Sequence, residues 1–294
     1  MIQKYTFNGE KKLKLMDIPT NSKEDDVNKD EIIDKFRMNL EEMKNLQEKL
    51  YADGKEGIIV VIQAMDAAGK DSAIKHVMTT LNPQGINVIS YDAPSKAELA
   101  HGYLWRIHKN IPARGSIAIF NRSHYEDVVT VQVRGLNNNY EMAERIMKKD
   151  SRTFFRQRYE QIRNFEEYLY QESYRVVKIF LKVSKDKQKE RLLERIERKE
   201  KNWKFDPRDV EDRVLFDRYM KTYEEAINET ATKNCPWFVL PADQKWYTRY
   251  LISEIMVQVM RDCNPKFPEV SQEDLAKMEV CKESLLIEDP SSIQ

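Results

Sequence analysis

The chain is poor in cysteine: Cys235, Cys263 and Cys281 are the only three in 294 residues, and they lie far apart. No Cys-x-x-Cys or Cys/His pairing suggests a disulfide framework or a zinc site. Incidental thiols in a reducing compartment are the expectation. Net charge is also missing. Lys+Arg and Asp+Glu are both 49, so no global field marks an anionic partner, and any basic site must be local to a cleft. No apolar run comes near the roughly 20 residues that span a bilayer. The opening MIQKYTFNGEKKLKL has no apolar stretch of the signal-peptide kind. A cytoplasmic protein with no membrane or nucleic-acid partner is therefore expected. There is no internal repeat and no Gly/Ser- or Pro-rich linker. The four histidines (His76, His101, His108, His124) are scattered, so no phosphohistidine intermediate is expected.

What the chain does have is buried strands alternating with helical segments. With 41% apolar and 33% charged residues it can fill a core and stay soluble. Apolar positions Ile33, Phe36, Leu40, Met43 and Leu50 step by three, four or seven, predicting a helix over about 30–50. Ile58-Ile59-Val60-Val61-Ile62 is an unbroken β-branched run, the mark of a parallel strand covered on both faces. Further strands are predicted at Asn87–Tyr91, Ile117–Phe120, Val176–Val183 and Trp237–Leu240. Helices are predicted over about 70–81, from a Ser95–Glu98 capping box to about Lys109, and over about 140–171. Asp206-Pro207 reads as an N-cap and first helical residue. This is an α/β chain with a parallel sheet between helix layers. Residues 1–29 form a polar arm, 30–262 the domain with a charged helical lid at about 191–221, and 263–294 a polar tail.

Between the first strand and its helix lies Ala64-Met65-Asp66-Ala67-Ala68-Gly69-Lys70-Asp71-Ser72. This is the setting a phosphate loop requires: backbone N–H groups of Ala67, Ala68, Gly69 and Asp71 and a helix N-terminus facing an anion. Lys70 adds a mobile point charge. Against G-x-x-x-x-G-K-[ST], Ala64 replaces the first glycine and Asp71 the metal-binding hydroxyl. Asp66 repels phosphate unless it holds Mg²⁺ or positions the accepting oxygen; otherwise it shapes the loop as an Asx-turn.

The strand Ile117–Phe120 ends in Asn121-Arg122-Ser123-His124-Tyr125-Glu126-Asp127. Ligands of open parallel sheets sit beyond the carboxyl ends of strands, so this segment should face the same crevice. Arg122 can bridge phosphates with its planar fork. Glu126 and Asp127 could supply a carboxylate for Mg²⁺; the blander reading is a polar strand-to-helix turn. Lys75 and Arg134 lie where they could reach a polyanion. In the lid, Arg191 to Glu200 reads as a solvated helix laced with i,i+4 ion pairs. Beyond it Lys201, Lys204 and Arg208 flank Trp203 and Phe205, a composition suited to closing over phosphates while an aromatic covers a base or excludes water.

The ordered motifs MDAAGKDS, NPQG, PSKAELAHGYLWRIHKNIPARG and IFNRSHYEDV resemble the polyphosphate kinase 2 family over about residues 30–262, the longer form being closest to its class III members. The resemblance implies a P-loop kinase fold with a lid, Mg²⁺ dependence, a homo-oligomer, and phosphoryl transfer between inorganic polyphosphate and nucleoside mono- and diphosphates. It carries over to Asp66, Gly69, Lys70, Asn121, Arg122 and Asp127. Asn121, an Asp in other classes, implies that both AMP and ADP are accepted, with adenine and guanine not separated. The expected roles are Lys70 and Arg122 on the transferring group, Asp66 and Asp127 on Mg²⁺ and acceptor, and Asp66, Asn121 and Glu126 near the nucleotide. Two other readings stand beside this one: an ATP-dependent nucleoside monophosphate kinase of the thymidylate-kinase kind, and a polyphosphate-binding module without turnover.

Overall fold

The structure is a computed structural model and describes residues 2–287. Six strands form one sheet in the order β1-β6-β5-β2-β4-β3. They are β1 (Thr6–Phe7), β2 (Gly57–Ala64), β3 (Ile86–Ser90), β4 (Ile117–Asn121), β5 (Tyr174–Lys182) and β6 (Trp237–Pro241). All neighbours run parallel except β1, which pairs antiparallel with β6. Every residue of β2 is buried, as its unbroken β-branched run demands. The sheet thus places the carboxyl ends of β2 and β4 side by side, with Ile62 opposite Asn121.

Helices α1 (Lys29–Asp53), α2 (Lys70–Val77) and α11 (Lys245–Asp262) pack together as one flanking group. Helices α5 (Thr130–Arg134), α7 (Ser151–Gln171) and α10 (Phe216–Thr230) form the other. The fold is mixed α/β, as expected. In α1 the buried seam runs through Ile32, Asn39, Met43, Gln47 and Leu50, sharing Met43 and Leu50 with the predicted face and lying one position before it at Ile32 and Asn39. Two polar residues occupy that seam because each is paired: Asn39 Nδ2 donates to Ser253 Oγ at 3.0 Å, and Gln47 Nε2 to the Asn82 carbonyl at 3.0 Å.

Two predicted helices are broken. The Ser95 capping box forms, yet the helix it opens is only α3 (Lys96–Leu99). Gly102 then intervenes before α4 (Trp105–His108), because glycine gives a helix interior no support. The stretch over 140–171 divides into α6 (Glu144–Met147) and α7, since the Asp150 side chain caps α7 by accepting from Thr153 N.

The arm at 2–28 is tied down along its length. Tyr5 and Tyr247 both donate their hydroxyls to Asp25 at 2.6 Å. Leu13 exchanges two hydrogen bonds with Asn228, and Lys182 Nζ donates to the carbonyls of Leu15 and Ile18. Gly9 sits at φ +87°, where a Cβ would meet the Ala231 carbonyl oxygen at 2.4 Å, so only glycine permits this approach. Beyond α11, the tail forms α12 (Gln272–Ile287), exposed over residues 272–286. Residues 288–294 of the expected tail lie outside the described residues. Among the described residues no helix is long and apolar enough to cross a membrane.

Candidate active site

At the end of β2 the chain turns through Asp66, Ala67, Ala68 and Gly69 into α2. Gly69, at φ +109° and ψ 19°, is the residue preceding the helix. Ala67 is also left-handed, at φ +61°, a conformation that costs a non-glycine roughly 1–2 kcal/mol. The loop is held in this shape from behind. Helix α8 (Lys185–Glu197) supplies Arg191, whose Nη1 donates to the Ala67 and Ala68 carbonyls at 3.2 and 2.6 Å. Its Nη2 reaches the carbonyls of Ala242 and Asp243 at 2.8 and 3.1 Å. Gln188 Nε2, one turn earlier, donates to the Asp66 carbonyl at 3.1 Å.

Three charged side chains meet at the floor of the site. Arg122 follows β4 at φ +63°, and its Nη2 lies 2.7 Å from Asp66 Oδ1. Lys70 Nζ lies 3.9 Å from the same oxygen and donates to the Ala64 carbonyl at 3.0 Å. Burial alone would push the Asp66 carboxyl up, but the charges of Lys70 and Arg122 outweigh it and hold the group below the usual carboxylate range. Burial lowers the Lys70 ammonium despite Asp66. Burial also works against the Arg122 charge, but Asp66 and Glu126 raise that group above its ordinary value.

These groups open into a cavity of about 490 Å³, lined by eight cationic and six acidic side chains. The lid supplies most of the far wall. Lys204, in a tight turn over Lys199–Lys204, meets Asp71 at 3.1 Å. Arg195 meets Asp209 of α9 (Pro207–Val214) at 2.5 Å, and Arg208 meets Asp206 at 2.6 Å. Burial, and then the neighbouring Asp66 charge, push the Asp209 carboxyl up to about 6, although Arg195 opposes both. Asn121 Nδ2 donates to Asp71 Oδ1 at 3.1 Å and to Ser90 Oγ at 3.3 Å. Its Oδ1 is buried with no hydrogen-bond partner.

A phosphate loop backed by a lid and faced by an Asn-Arg strand end is the arrangement the sequence motifs require, and comparison with known proteins decides the family. Residues 26–268 match the family model for polyphosphate kinase 2 (PPK2). The chain belongs to the polyphosphate kinase 2 family. It is similar to an "AMP/ADP-polyphosphate phosphotransferase" of Meiothermus ruber, 44% identical over 227 residues, 77% of this chain and 80% of that protein. It is also similar to an "ADP-polyphosphate phosphotransferase" of Rhodopseudomonas palustris, 40% identical over 238 residues, 80% of this chain and 81% of that one. Among solved structures, a polyphosphate kinase 2 from Arthrobacter aurescens superposes with a TM-score of 0.83 at 31% identity, covering 92% of this chain and 93% of the other. Phosphotransferases of this kind typically need a metal ion.

Of the residues singled out from the sequence, Asp66, Ala67, Gly69, Lys70, Asp71, Asn121, Arg122, Lys204 and Arg208 line the cavity. Ala68 lies behind it, its carbonyl held by Arg191. Four others do not line it. Asp127, expected beside the metal, instead accepts a hydrogen bond from Tyr140 Oη at 2.5 Å, and burial raises its pKa. Glu126 accepts from Thr130 Oγ1 at 2.5 Å. Arg134 spends its fork on Asp212 of the lid, at 2.7 and 2.9 Å. Lys75 is exposed on α2. Among the described residues no group of three or more His, Cys, Asp or Glu is placed to hold a metal.

Arg191 is not one of a row of solvated charges, as its sequence surroundings suggest: it is only 8% exposed. Helix α11 contributes residues that no expectation included: Lys245 lines the cavity, and Arg249 Nη2 donates to Ser72 Oγ at 2.9 Å. No motif marks those two. Their only signal is two cations one helical turn apart at the start of a helix that is otherwise mostly buried.

Proposed function

We propose that this chain transfers the terminal phosphoryl group of inorganic polyphosphate to AMP and ADP, reversibly and by direct in-line displacement. The observation that carries this reading is the convergence of Lys70 and Arg122 on Asp66 at the floor of a cation-lined cavity. A loose phosphoryl-transfer transition state spreads charge over its oxygens, so catalysis needs positioning and fixed positive charge more than covalent chemistry. Lys70 and Arg122 supply that charge from two different strand ends. The acceptor is a phosphate oxygen already ionised at neutral pH, so no strong general base is needed. Asp66, kept ionised by its two cations, holds the Arg122 guanidinium and the Lys70 ammonium at the reacting position. One phosphoanhydride is broken and one is made, so concentrations set the direction.

The metal in this reading is Mg²⁺, and the oxygen donors present fit it. Mg²⁺ takes oxygen ligands, is satisfied by one or two carboxylates with substrate phosphates, and keeps several waters. Asp66 and Asp71 offer carboxylates to the cavity, and Asn121 Oδ1 is a buried acceptor without a partner. These three would hold the ion, rather than Asp127. When bound, Mg²⁺ neutralises phosphate charge as the two polyanions are brought together. The same reading includes tolerance of guanine nucleotides and a cytoplasmic homo-oligomer, tested by turnover of GDP and by light scattering.

The test is nucleotide formation from AMP and, separately, ADP with ATP-free polyphosphate as sole donor and Mg²⁺ present. ADP and ATP from AMP, and ATP from ADP, are expected. Turnover of a nucleoside monophosphate with ATP but not with polyphosphate would overturn the reading in favour of a monophosphate kinase.

A further inference from the structure

The cavity has a cationic floor for phosphates but little that could receive a nucleobase. Among the described residues only two aromatic ones line it. Tyr91 is closed off: it is 5% exposed, set edge-on to Phe120 at 5.3 Å and covered by the Arg106 guanidinium 4.9 Å from its ring centroid. Trp203 is the opposite case, 78% exposed in the lid turn. Its orientation is nevertheless set. The indole N–H donates to the Glu200 carbonyl at 3.1 Å. Lys204 Nζ lies 4.9 Å from its ring centroid while pairing with Asp71 on the phosphate loop. An exposed tryptophan anchored through its N–H and tied by its neighbour to the phosphate loop is not placed there by core packing. Phe205, the other aromatic beside this turn, does not line the cavity.

Resting on the function proposed above, we propose that Trp203 is the platform on which the acceptor's base stacks, so that the lid holds nucleotides by their π face. Every base has such a face, and stacking tolerates base identity because it reads no hydrogen-bonding edge. Purine acceptors of either kind should therefore gain from it. The gain should also be absent for an acceptor or donor that carries no base.

Two measurements on the full-length protein test this. The first needs no turnover and so stands apart from the proposed reaction: tryptophan emission is followed while AMP, or tripolyphosphate, is titrated in. AMP should quench emission from the wild type and not from Trp203→Phe, and tripolyphosphate should leave both unchanged. Quenching of equal size in Trp203→Phe, or no quenching by AMP at saturation, overturns the proposal. The second is steady-state kinetics. A stacked base is worth about 1–3 kcal/mol, a factor of about 5 to 140. Trp203→Ala should raise KM for AMP by that factor with little change in KM for polyphosphate, and Trp203→Phe should bring it back toward wild type. An unchanged KM for AMP, or an equal rise in KM for polyphosphate, would show that Trp203 serves only lid closure and would overturn base stacking.

Discussion

Replacing Arg191 by methionine keeps the apolar length of the side chain and removes the fork that braces the phosphate loop. Four carbonyls then lose a donor: those of Ala67, Ala68, Ala242 and Asp243. At a net value of about 1 kcal/mol per hydrogen bond the loss is about 4 kcal/mol. Some of that is returned, because the guanidinium no longer has to be buried; burial already lowers its pKa in the folded chain. A net destabilisation of about 3 kcal/mol remains, which corresponds to a fall in Tm of roughly 6–12 °C in a chain of this size. Catalysis should suffer more than stability. Without Arg191 the left-handed turn at Ala67 loses its restraint, and a displacement of about 1 Å at a reacting group is worth on the order of a hundredfold in rate. Arg191→Lys should fall between, because one ammonium cannot span both carbonyl pairs. Differential scanning fluorimetry and luciferase-coupled ATP formation from ADP and polyphosphate measure the two effects. A methionine variant with wild-type Tm and kcat/KM would refute the bracing argument.

Three further outcomes are expected. Asp209 is harder to ionise folded than unfolded, so its contribution to stability is whole below about pH 4 and lost as pH rises through about 6. Asp209→Asn should flatten that part of the stability–pH profile, and urea unfolding at pH 4.5 and 6.5 with an unaltered slope would contradict it. Gly69→Ala meets nothing closer than Arg191 Nη1 at 3.7 Å, so its cost is conformational, roughly 1–2 kcal/mol, with a loss of turnover to match; a variant as stable and active as wild type counts against the strained-turn account. Lys178 and Glu166 form a fully buried pair at 2.5 Å, so Lys178→Met should cost about 3–5 kcal/mol by stranding the carboxylate. Adding Glu166→Leu should recover most of that, and a double variant no more stable than the single would refute the ion-pair account.

The fold was legible wherever burial imposed a one-dimensional pattern. β2, β4, β5 and β6 are runs of apolar residues because both faces of the sheet are covered, and the phosphate loop follows β2 in register. The charged lid was not legible in the same way. Arg191, Arg195 and Arg198 have the same sequence surroundings, yet Arg191 is buried on loop carbonyls, Arg195 pairs with Asp209, and Arg198 stands free of the cavity lining. Which cation turns inward depends on which carbonyls α8 meets, and those belong to the turns that follow β2 and β6, not to α8. The arm hid for a related reason. Its buried anchors Tyr5, Leu13 and Leu15 are few and irregularly spaced, and most of its attachment is by polar groups to partners some 20 to more than 200 residues away in sequence.

The ion pairs of the cavity bear on how tightly it can hold a polyanion. Lys70, Arg122, Arg195, Lys201, Lys204 and Arg208 each already have a carboxylate within 4 Å. At these six positions an arriving phosphate chain therefore does not meet bare cations; Lys245 is the exception among the lining lysines. The chain exchanges with resident counter-ions, much as an anion loads onto an ion-exchange resin, and the displaced aspartates and glutamates wait alongside to reclaim their partners. Such a site grips a chain of many charges loosely at each one, so that after every transfer the shortened chain can slip forward by one unit and not stay locked in place.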